Sequence, residues 1–350
     1  MTGAGATDPA DRHRWIEPGA HPVAPGMWRI PTVLPMDGLK AVNIYALSDG
    51  PGITLIDGGW ALSAAREALA DGLARIGAGL GDVRRFLVTH AHRDHYTNAV
   101  AVRREFGTRV LIGAGERGTI DAATDPRRRS GPTDRLGVLR RHGAGAVVDA
   151  LRELGRPPEE DYEQPDAWIA DGDRFEVGDR VLQAIHTPGH TRGHLVFADH
   201  TARLMFAGDH VLPHITPSVG FEPDPSADAL RTYLGALRLV RDLPDMELLP
   251  AHGPTGGRTH RRVDELMAHH ERRLAEMLSV LPATGATSYD VANQVTWTSR
   301  HRKFADLDPF NQMLAVMETA LHLELLLHRG AVTRTEVDDL RVYAPAATSG

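Results

Sequence analysis

The sequence predicts an α/β (α+β) fold followed by a small helical domain, and three observations support this. Short apolar runs rich in β-branched residues alternate with segments whose apolar residues recur at helical spacing, which is typical of layered α/β domains. This alternation occurs twice, on either side of a segment interrupted by proline and glycine at about residues 114–166. From about residue 261 onward the spacing is helical.

The first half of the chain predicts two strands, a helix, a strand, a helix and a strand. Residues 1–20 are small and polar, so we expect them to be disordered, because they cannot bury enough apolar surface to offset the entropy of ordering. A hairpin is predicted for "AVNIYAL" and "GITLIDGG", which are joined by the turn residues "SDGP". Helices are predicted for "ALSAAREALADGLARIG" and "TNAVAVRREFG", and strands for "DVRRFLVTH" and "TRVLIGAG".

The second half repeats this architecture after the segment at 114–166, which we interpret as a helical insertion. Strands are predicted within "DRFEVGDRVLQAIHTPGH" and "GHLVFADHTARLMFAGDHV", a helix in "SADALRTYLGALRLVRDL", and a last strand in "MELLPAHG". These patterns place one α/β domain at residues 21–260. The helical remainder forms a second domain at 261–343.

Composition narrows the classes of function and the compartment. The net charge of −7 argues against a general polyanion-binding protein, since phosphate contacts are made by clustered lysine and arginine. The chain contains no cysteine, which excludes disulfides, thiolate metal ligands and a cysteine nucleophile. It shows neither a secretion signal nor a run of 18 apolar residues. We therefore expect a cytoplasmic protein without a membrane partner.

The stretch "FLVTHAHRDHYTNAV" places three histidines and an aspartate within six positions at the end of a predicted strand. Alternate residues of an extended segment share a face, so His90 and His92 can approach one metal ion, while Asp94 and His95 follow on the turn into a helix. Imidazole and carboxylate are ligands that zinc accepts. A hydrophilic turn is the alternative, since the chain has 19 histidines, but the position at a strand end favours ligation.

Further candidate ligands follow other predicted strands. His190 lies in "TPGHTRGH", Asp209 in "FAGDH" and His252 in "PAHG", each near the end of an apolar run. Two metal ions need more ligands than the first turn supplies. The sequence therefore predicts that these residues complete a site.

The motifs "THAHRDH", "TPGHTRGH", "FAGDH" and "PAHG", in this order and spacing, resemble those of the metallo-β-lactamase fold superfamily over about residues 25–260. The resemblance implies an αββα sandwich of two mixed sheets flanked by helices, with the site at one edge. It implies a first metal held by His90, His92 and His190 and a second held by Asp94, His95 and His252, with Asp209 as the bridge. It further implies two zinc ions per chain, with iron or manganese as alternatives.

Departures from the family patterns distinguish its branches. β-Lactamases with a cysteine zinc ligand are disfavoured because this chain has no cysteine. The flavodiiron branch replaces the second histidine of the motif by an acid, which His92 disfavours. Persulfide dioxygenases are mononuclear iron enzymes that lack the second set of ligands present here.

The C-terminal segments resemble the winged-helix domain of one branch, similar to the endoribonuclease β-lactamase-like and glyoxalase II-like proteins. The matching segments are "HHERRLAEMLSVL", "TSYDVANQV" and "ALHLELLLHRGAV", the last leading to a wing. A structural cap or a dimerisation surface is the interpretation we favour, and a homodimer is compatible with it. Nucleic-acid binding is disfavoured, since "HRGAVTRTEVDD" mixes arginine with acids.

We expect a metal-dependent hydrolase with a small-molecule substrate. A metal-bridging hydroxide would cleave a small ester, a thioester of the CoA, carrier-protein or glutathione type, or a lactone. Asp94 and Asp209 are expected to act in catalysis as well as in ligation. The alternatives are a single-strand endoribonuclease and a non-catalytic metal-binding scaffold. The motifs do not identify the substrate, because one fold serves many.

Overall fold

The computed structural model describes residues 11–34, 39–125, 134–155, 162–222, 226–298 and 301–347. These residues form two compact units. The first consists of Met1–Arg129, Glu160–Pro217 and Ala236–Val263, and the second of Ser130–Glu159, Ser218–Gly235 and Asp264–Gly350. The second unit takes in parts of the chain that the predicted boundaries, 21–260 and 261–343, assign to the larger domain. Those domain boundaries remain a prediction.

The strands are numbered in chain order. They are β1 His21–Ala24, β2 Met27–Leu34, β3 Lys40–Asp49, β4 Gly52–Ile56, β5 Val83–Val88, β6 Arg109–Gly113, β7 Ala167–Ile169, β8 Arg174–Val177, β9 Arg180–His186, β10 Leu195–Asp199, β11 Leu204–Gly208, β12 Glu247–Pro250, β13 Gly257–Arg258, β14 Val332–Val337 and β15 Leu340–Pro345.

The helices are numbered in the same way. They are α1 Ser63–Arg75, α2 Arg93–Phe106, α3 Arg117–Thr124, α4 Asp134–Arg141, α5 Gly145–Glu153, α6 Ala229–Asp242, α7 Thr259–Ser279, α8 Ser288–Gln294 and α9 Pro309–His328. Short 3-10 helices lie at Asp11–Ile16, Leu80–Asp82, Ala114–Glu116 and Phe304–Asp306.

Two mixed sheets form the framework of the first unit. The seven-stranded sheet has the order β1-β2-β3-β4-β5-β6-β7, and the six-stranded sheet has the order β13-β12-β11-β10-β9-β8. The predicted hairpin is confirmed, since β3 and β4 pair antiparallel from Tyr45 opposite Ile56 to Asp49 opposite Gly52. In the first sheet β4, β5, β6 and β7 run parallel, and in the second β11 and β12 do.

The sheets pack face to face across an apolar core, as a sandwich requires. Tyr45 and Leu87 from the first sheet and Phe197 and Phe206 from the second belong to one buried cluster. A second buried cluster joins the other face of the first sheet to helices α1 and α2. The alternation of buried strands and half-buried helices in the sequence therefore corresponds to layers.

The second unit is built around α9, which is mostly buried between Met313 and Leu326. It packs against α4, α5, α8 and the hairpin β14–β15. The helices predicted for the C-terminal part are present, and a strand pair follows α9 where a wing was predicted. Asp338 and Asp339 both have positive φ at the hairpin turn, a conformation that aspartate tolerates better than most residues.

Two predictions for the N-terminal part need correction. A 3-10 helix occupies Asp11–Ile16, within the segment predicted to be disordered, and the carbonyl of Trp15 accepts a hydrogen bond from Arg29. Residues 1–10 of that segment lie outside the described residues. Strands β1 and β2 were not predicted, since prolines punctuate "HPVAPGMWRIPTVLP".

Within the described part of the chain, none of the helices has the length and apolar character needed to cross a bilayer.

Candidate metal centre

The seven predicted ligands lie on four loops of the first unit, each of which follows a strand. His90, His92, Asp94 and His95 follow β5, and the last two lie in the first turn of α2. The other three ligands follow β9, β11 and β12; they are His190, Asp209 and His252. The carboxyl ends of neighbouring parallel strands meet at the same edge of a sheet, so this topology gathers the loops. We call these seven residues the metal centre.

Three histidine rings, which we call the first trio, converge on one point. His90 Nε2 lies 3.0 Å from His92 Nδ1, His190 Nε2 lies 3.0 Å from His92 Nδ1, and the two Nε2 atoms are 3.2 Å apart. Hydrogen bonds cannot account for all three contacts, because in any triangle of ring nitrogens at least one pair joins two donors or two acceptors. A tetrahedral zinc ion about 2.0–2.1 Å from each nitrogen would hold them about 3.3 Å apart, close to the observed spacing.

A carboxylate and two rings, which we call the second trio, lie beside the first. Asp94 Oδ2 is 3.6 Å from His95 Nε2 and 3.4 Å from His252 Nε2. Asp209 faces both trios: its Oδ1 is 3.3 Å from His252 Nε2, and its Oδ2 is 3.5 Å from His190 Nε2. The position of Asp209 is therefore the one expected for a ligand shared by two ions.

The second trio and Asp209 also contain buried polar atoms without a hydrogen-bond partner in the described part of the chain. His95 Nε2, His252 Nε2 and Asp209 Oδ1 are buried, and none has a hydrogen-bond partner among the described residues. Burying such atoms without a partner is costly. A cation between the imidazole nitrogens and the carboxylates supplies the missing interactions, so the donor set fits a metal ion.

The pKa values of the second trio and of Asp209 show which of these groups are charged when no metal ion is bound. Burial opposes protonation of the His95 ring, but the carboxylates of Asp94 and Asp57 outweigh it and raise its pKa to about 9. Burial likewise opposes charge on His252, and the Asp209 carboxylate holds its pKa well above the ordinary value. Burial would raise the pKa values of Asp94 and Asp209, yet the neighbouring histidine rings hold both pKa values well below the ordinary value of aspartate. A metal ion entering the second trio must therefore displace protons.

The first trio differs in this respect. Burial and the adjacent rings of His95 and His92 lower the pKa of His90 well below its ordinary value. The ring is neutral at pH 7, so a nitrogen lone pair is available to a cation without loss of a proton.

Hydrogen bonds behind the ligands orient their rings. Asp57 adopts a positive φ of 62° directly after β4 and accepts hydrogen bonds from the Thr89 amide (2.8 Å) and the Thr89 hydroxyl (3.0 Å). It also accepts one from His95 Nδ1 at 2.9 Å. Because its hydroxyl proton is directed to Asp57, Thr89 accepts from His90 Nδ1 at 3.0 Å. In neutral rings these bonds leave both Nε2 lone pairs facing the metal centre.

Two other histidines support the turn that carries His190. His194 Nε2 accepts a hydrogen bond from the backbone amide of Asp209 at 3.1 Å, so its Nδ1 donates to the Thr187 hydroxyl at 2.9 Å. His186 Nε2 donates to the Arg192 carbonyl at 2.8 Å. The contact of His194 with this backbone is close: a Cβ at Gly208, where φ is 50°, would lie 2.6 Å from His194 Nε2. His194 thus links the loops of two ligands.

Sequence reasoning missed several residues of this supporting layer. Thr89 is one of them, although it precedes His90 directly in the motif "THAHRDH". Asn43 and Tyr45 are bonded to the carbonyl of Pro250, which lies more than 200 residues away along the chain. Their local sequence, a buried strand, contains no signal of such a partner. For Asp57, by contrast, the strand-end motif "LIDGG" predicts a structural role behind the ligands, and its carboxylate accepts a hydrogen bond from His95 Nδ1 at 2.9 Å.

Comparison with known proteins agrees with this geometry. Residues 37–252 match the profile of the metallo-beta-lactamase superfamily. The "Beta-lactamase-like protein 2 homolog" of Caenorhabditis elegans is 33% identical over 129 residues, which are 37% of this chain and 41% of that protein. The chain spans 41–44% of the length of this and two other curated relatives, which are lactamase-like proteins of fungi.

Two solved structures are similar over most of the chain. A metallo-beta-lactamase family protein from Thermus thermophilus shares 27% identity with a TM-score of 0.76, covering 92% of this chain and 99% of that one. A beta-lactamase domain protein from Burkholderia ambifaria shares 27% identity with a TM-score of 0.77, covering 93% and 94%. The profile match spans more than half of the chain and includes all seven residues of the metal centre, and the chain belongs to the metallo-β-lactamase superfamily.

Proposed function

We propose that the protein is a dinuclear, zinc-dependent hydrolase of small esters, thioesters or lactones. Membership of the superfamily implies a metal-dependent hydrolase. The observation that carries the finer proposal is the pair of trios with Asp209 between them, its two carboxylate oxygens lying 3.3 Å and 3.5 Å from a ring nitrogen of each trio. A mononuclear site would leave the second trio without a cation.

Bound in the two trios, divalent ions would lower the pKa of a water molecule toward about 7 and polarise the oxygen of the scissile carbonyl. The protein side chains position these elements. Asp209 fixes the spacing between the trios, since its carboxylate is buried and contacts both. Thr89, Asp57 and a backbone carbonyl orient the rings of His90, His95 and His252 from behind, in that order. These three rings therefore do not need to reorganise during the reaction.

Asp94 is the acid of the metal centre to which solvent and substrate have most access. Its side chain is 16% exposed, whereas those of Asp209 and His252 are 8% and 3% exposed. Its low pKa keeps it ionised at neutral pH, so it accepts a hydrogen bond from an attacking water. We assign to Asp94 the orientation of the nucleophile.

A carbonyl substrate is favoured over a phosphodiester by the charges of the C-terminal hairpin. Arg334 Nη1 lies 2.7 Å and Arg341 Nη1 3.8 Å from the same carboxylate oxygen of Glu324, so this cationic charge is offset locally. The chain as a whole carries a net charge of −7. Backbone recognition of RNA depends on cations that are free to replace counterions.

The proposal is tested by metal analysis and by a substrate panel. Inductively coupled plasma measurement of protein grown with zinc, iron and manganese should find about two zinc ions per chain. Hydrolysis of acyl-CoA and glutathione thioesters, lactones and labelled RNA is then compared between wild-type protein and Asp94→Ala. Carbonyl hydrolysis that is lost in Asp94→Ala supports the proposal. Cleavage of RNA alone, or carbonyl hydrolysis that survives the substitution, contradicts it.

A further inference from the structure

Asn43 lies on strand β3 and holds both sides of the loop that carries His252. Its side-chain amide donates one hydrogen bond to the Pro250 carbonyl at 2.9 Å and a second to the Gly253 carbonyl at 2.8 Å. The side chain is fully buried. We infer that Asn43 is a positioning residue that sets the affinity of the second trio for its metal ion. This inference rests on the proposed dinuclear function.

The free edge of β3 explains why the loop docks there. Pairing of β3 with β4 starts at Tyr45, so residues 41–44 have no β4 partner on that side among the described pairs. The His252 loop takes that place. The backbone N–H of Asn43 donates to the Ala251 carbonyl at 2.7 Å, and His252 Nδ1 donates to the Ala41 carbonyl at 2.7 Å. A carbonyl only accepts, so the neutral ring keeps its Nε2 lone pair for the metal.

The amide of Asn43 is itself fixed in orientation. Its Oδ1 accepts a hydrogen bond from Arg29 Nη1 at 3.0 Å, and Arg29 is also buried. This bond directs the two N–H groups of Asn43 toward the loop carbonyls. Neither aspartate nor leucine, which have nearly the same shape, can donate these bonds. Both would leave the Gly253 carbonyl without its Asn43 donor and the Pro250 carbonyl with Tyr45 alone.

Tyr45 adds a weaker contribution from the next position on the same face of β3. Its hydroxyl donates to the Pro250 carbonyl at 2.8 Å, so this oxygen accepts from both side chains. Removing the tyrosine hydroxyl leaves Asn43 as the donor to Pro250.

The effect of Asn43 should be confined to one metal ion. The loop at 250–253 contributes a ligand to the second trio, whereas the first trio is supported by Thr89 and the turn after β9. Loss of an outer hydrogen bond that orients a ligand typically weakens metal affinity 10- to 100-fold. We therefore expect a variant of Asn43 to bind one ion nearly normally and the other weakly.

The experiment compares Asn43→Asp and Asn43→Leu with wild-type protein by competition against a chromophoric chelator, using Zn²⁺, and by the visible absorption of Co²⁺-loaded protein. The dissociation constant of the weaker ion should rise about 10- to 100-fold, and that of the tighter ion should change less than about threefold. The Co²⁺ absorption of one site should disappear at stoichiometric metal.

Thr108→Val is the matched control, since the Thr108 hydroxyl is buried and donates to the Val83 carbonyl at 3.0 Å, at the start of β5, whose other end carries four of the ligands. It should leave both affinities unchanged. Should the Asn43 variants not fold, Tyr45→Phe replaces them, and it should weaken only the second ion, by about threefold.

Equal weakening of both ions, or no change in a folded variant of a two-ion protein, overturns the inference alone. A wild-type protein that binds a single ion overturns the dinuclear proposal and the inference together.

Discussion

Buried histidines occur in two regions of this molecule, and their surroundings give them opposite properties. In the metal centre, His95 and His252 lie against carboxylates, which outweigh burial and raise their pKa values, for His95 to about 9. In the second unit, burial lowers the pKa of His142 to about 3, of His270 to about 2 and of His322 to about 4. The residue type and the burial are the same, but the neighbours differ.

The hydrogen bonds of the two regions differ in the same way. His322 Nδ1 donates to the Glu318 carbonyl at 2.7 Å, so its Nε2 accepts from His270 Nδ1 at 3.1 Å. His142 Nδ1 bonds to the Ser288 hydroxyl at 2.8 Å. These hydrogen bonds join neutral groups. Within the described part of the chain, only the metal centre brings three ligand atoms within 4.8 Å of one another. Burial therefore does not identify a metal ligand, whereas convergence of lone pairs beside carboxylates does.

The largest expected effect separates the two regions by function. His92→Ala should reduce hydrolysis about 1,000-fold, on the order of 4 kcal/mol of transition-state stabilisation, because the first trio loses a ligand. His270→Ala should leave hydrolysis unchanged but lower the free energy of unfolding by about 1–3 kcal/mol, since it breaks a buried hydrogen bond. Steady-state kinetics and urea unfolding on both variants measure this, and a large loss of activity in His270→Ala would remove the distinction.

The buried histidines of the second unit should make the protein less stable in acid. A histidine whose folded pKa lies below about 6.5 binds fewer protons folded than unfolded, so stability falls as pH drops below that value. At pH 5 this costs about 2 kcal/mol per buried histidine. Replacing one of them by His142→Gln should reduce the loss of stability between pH 7 and 5, measured by urea unfolding, by about that amount.

The control for this measurement is His200→Gln, at an exposed side chain, which should leave the pH dependence unchanged. His95 of the metal centre has the opposite sign. In metal-free protein the raised pKa of His95 contributes stability that is fully present below about pH 6.5 and is lost as pH rises through about 9. An acid loss equal in His142→Gln and wild-type protein would contradict the assignment to the second unit.

A substitution of Asp57 tests whether a neighbouring carboxylate gives a histidine of the metal centre its properties. Asp57→Asn should weaken binding of the second ion about 10- to 100-fold, because the His95 ring loses its anionic partner at 2.9 Å. Asp49→Asn is the matched control, since Asp49 is a carboxylate of the same sheet that bonds to Thr54 and Arg85. Chelator competition measures both variants, and equal weakening in the two would show that Asp57 acts only through general stability.

The smallest expected effect concerns a cation beside the ligands. Arg93 lies between His92 and Asp94 in the chain, with its guanidinium 4.0 Å from the centre of the Trp60 ring. Arg93→Gln should raise KM about tenfold for an anionic acyl-CoA thioester and less than about twofold for a neutral lactone, since one charge-assisted contact is lost. Arg117→Gln, which removes a similar stack on Trp168, serves as the control. A KM that rises equally for both substrates would contradict an electrostatic role for Arg93.

Sequence analysis predicted the structural elements whose signals lie in neighbouring residues. The turn and β-branched composition of 40–56 predict the hairpin, and the spacing of apolar residues predicts α1 and α2. It failed at β1 and β2, where prolines obscure the strand pattern, and at the 3-10 helix of Asp11–Ile16, whose Trp15 carbonyl is satisfied by the distant Arg29.

The candidate site divides along the same line. Four of the predicted ligands lie within six positions, so one short stretch of sequence indicates their chemistry; they are His90, His92, Asp94 and His95. The resemblance to a family identified three more residues at strand ends. The residues that orient the ligands cannot be recognised from the sequence in this way. Asn43 is separated from its two loop partners by 207 and 210 residues, and nothing in "AVNIYAL" indicates them.

By itself, then, the sequence determined which side chains can bind metal and which strands present them, because ligand chemistry and strand periodicity are properties of neighbouring residues. Only the tertiary structure decided which histidines form buried pairs, how closely the rings of the first trio approach one another, how Asp209 lies between the trios, and which residues hold the His252 loop. Those outcomes depend on distances of about 3 Å between atoms far apart in the chain, and such distances exist only after the sheets have packed.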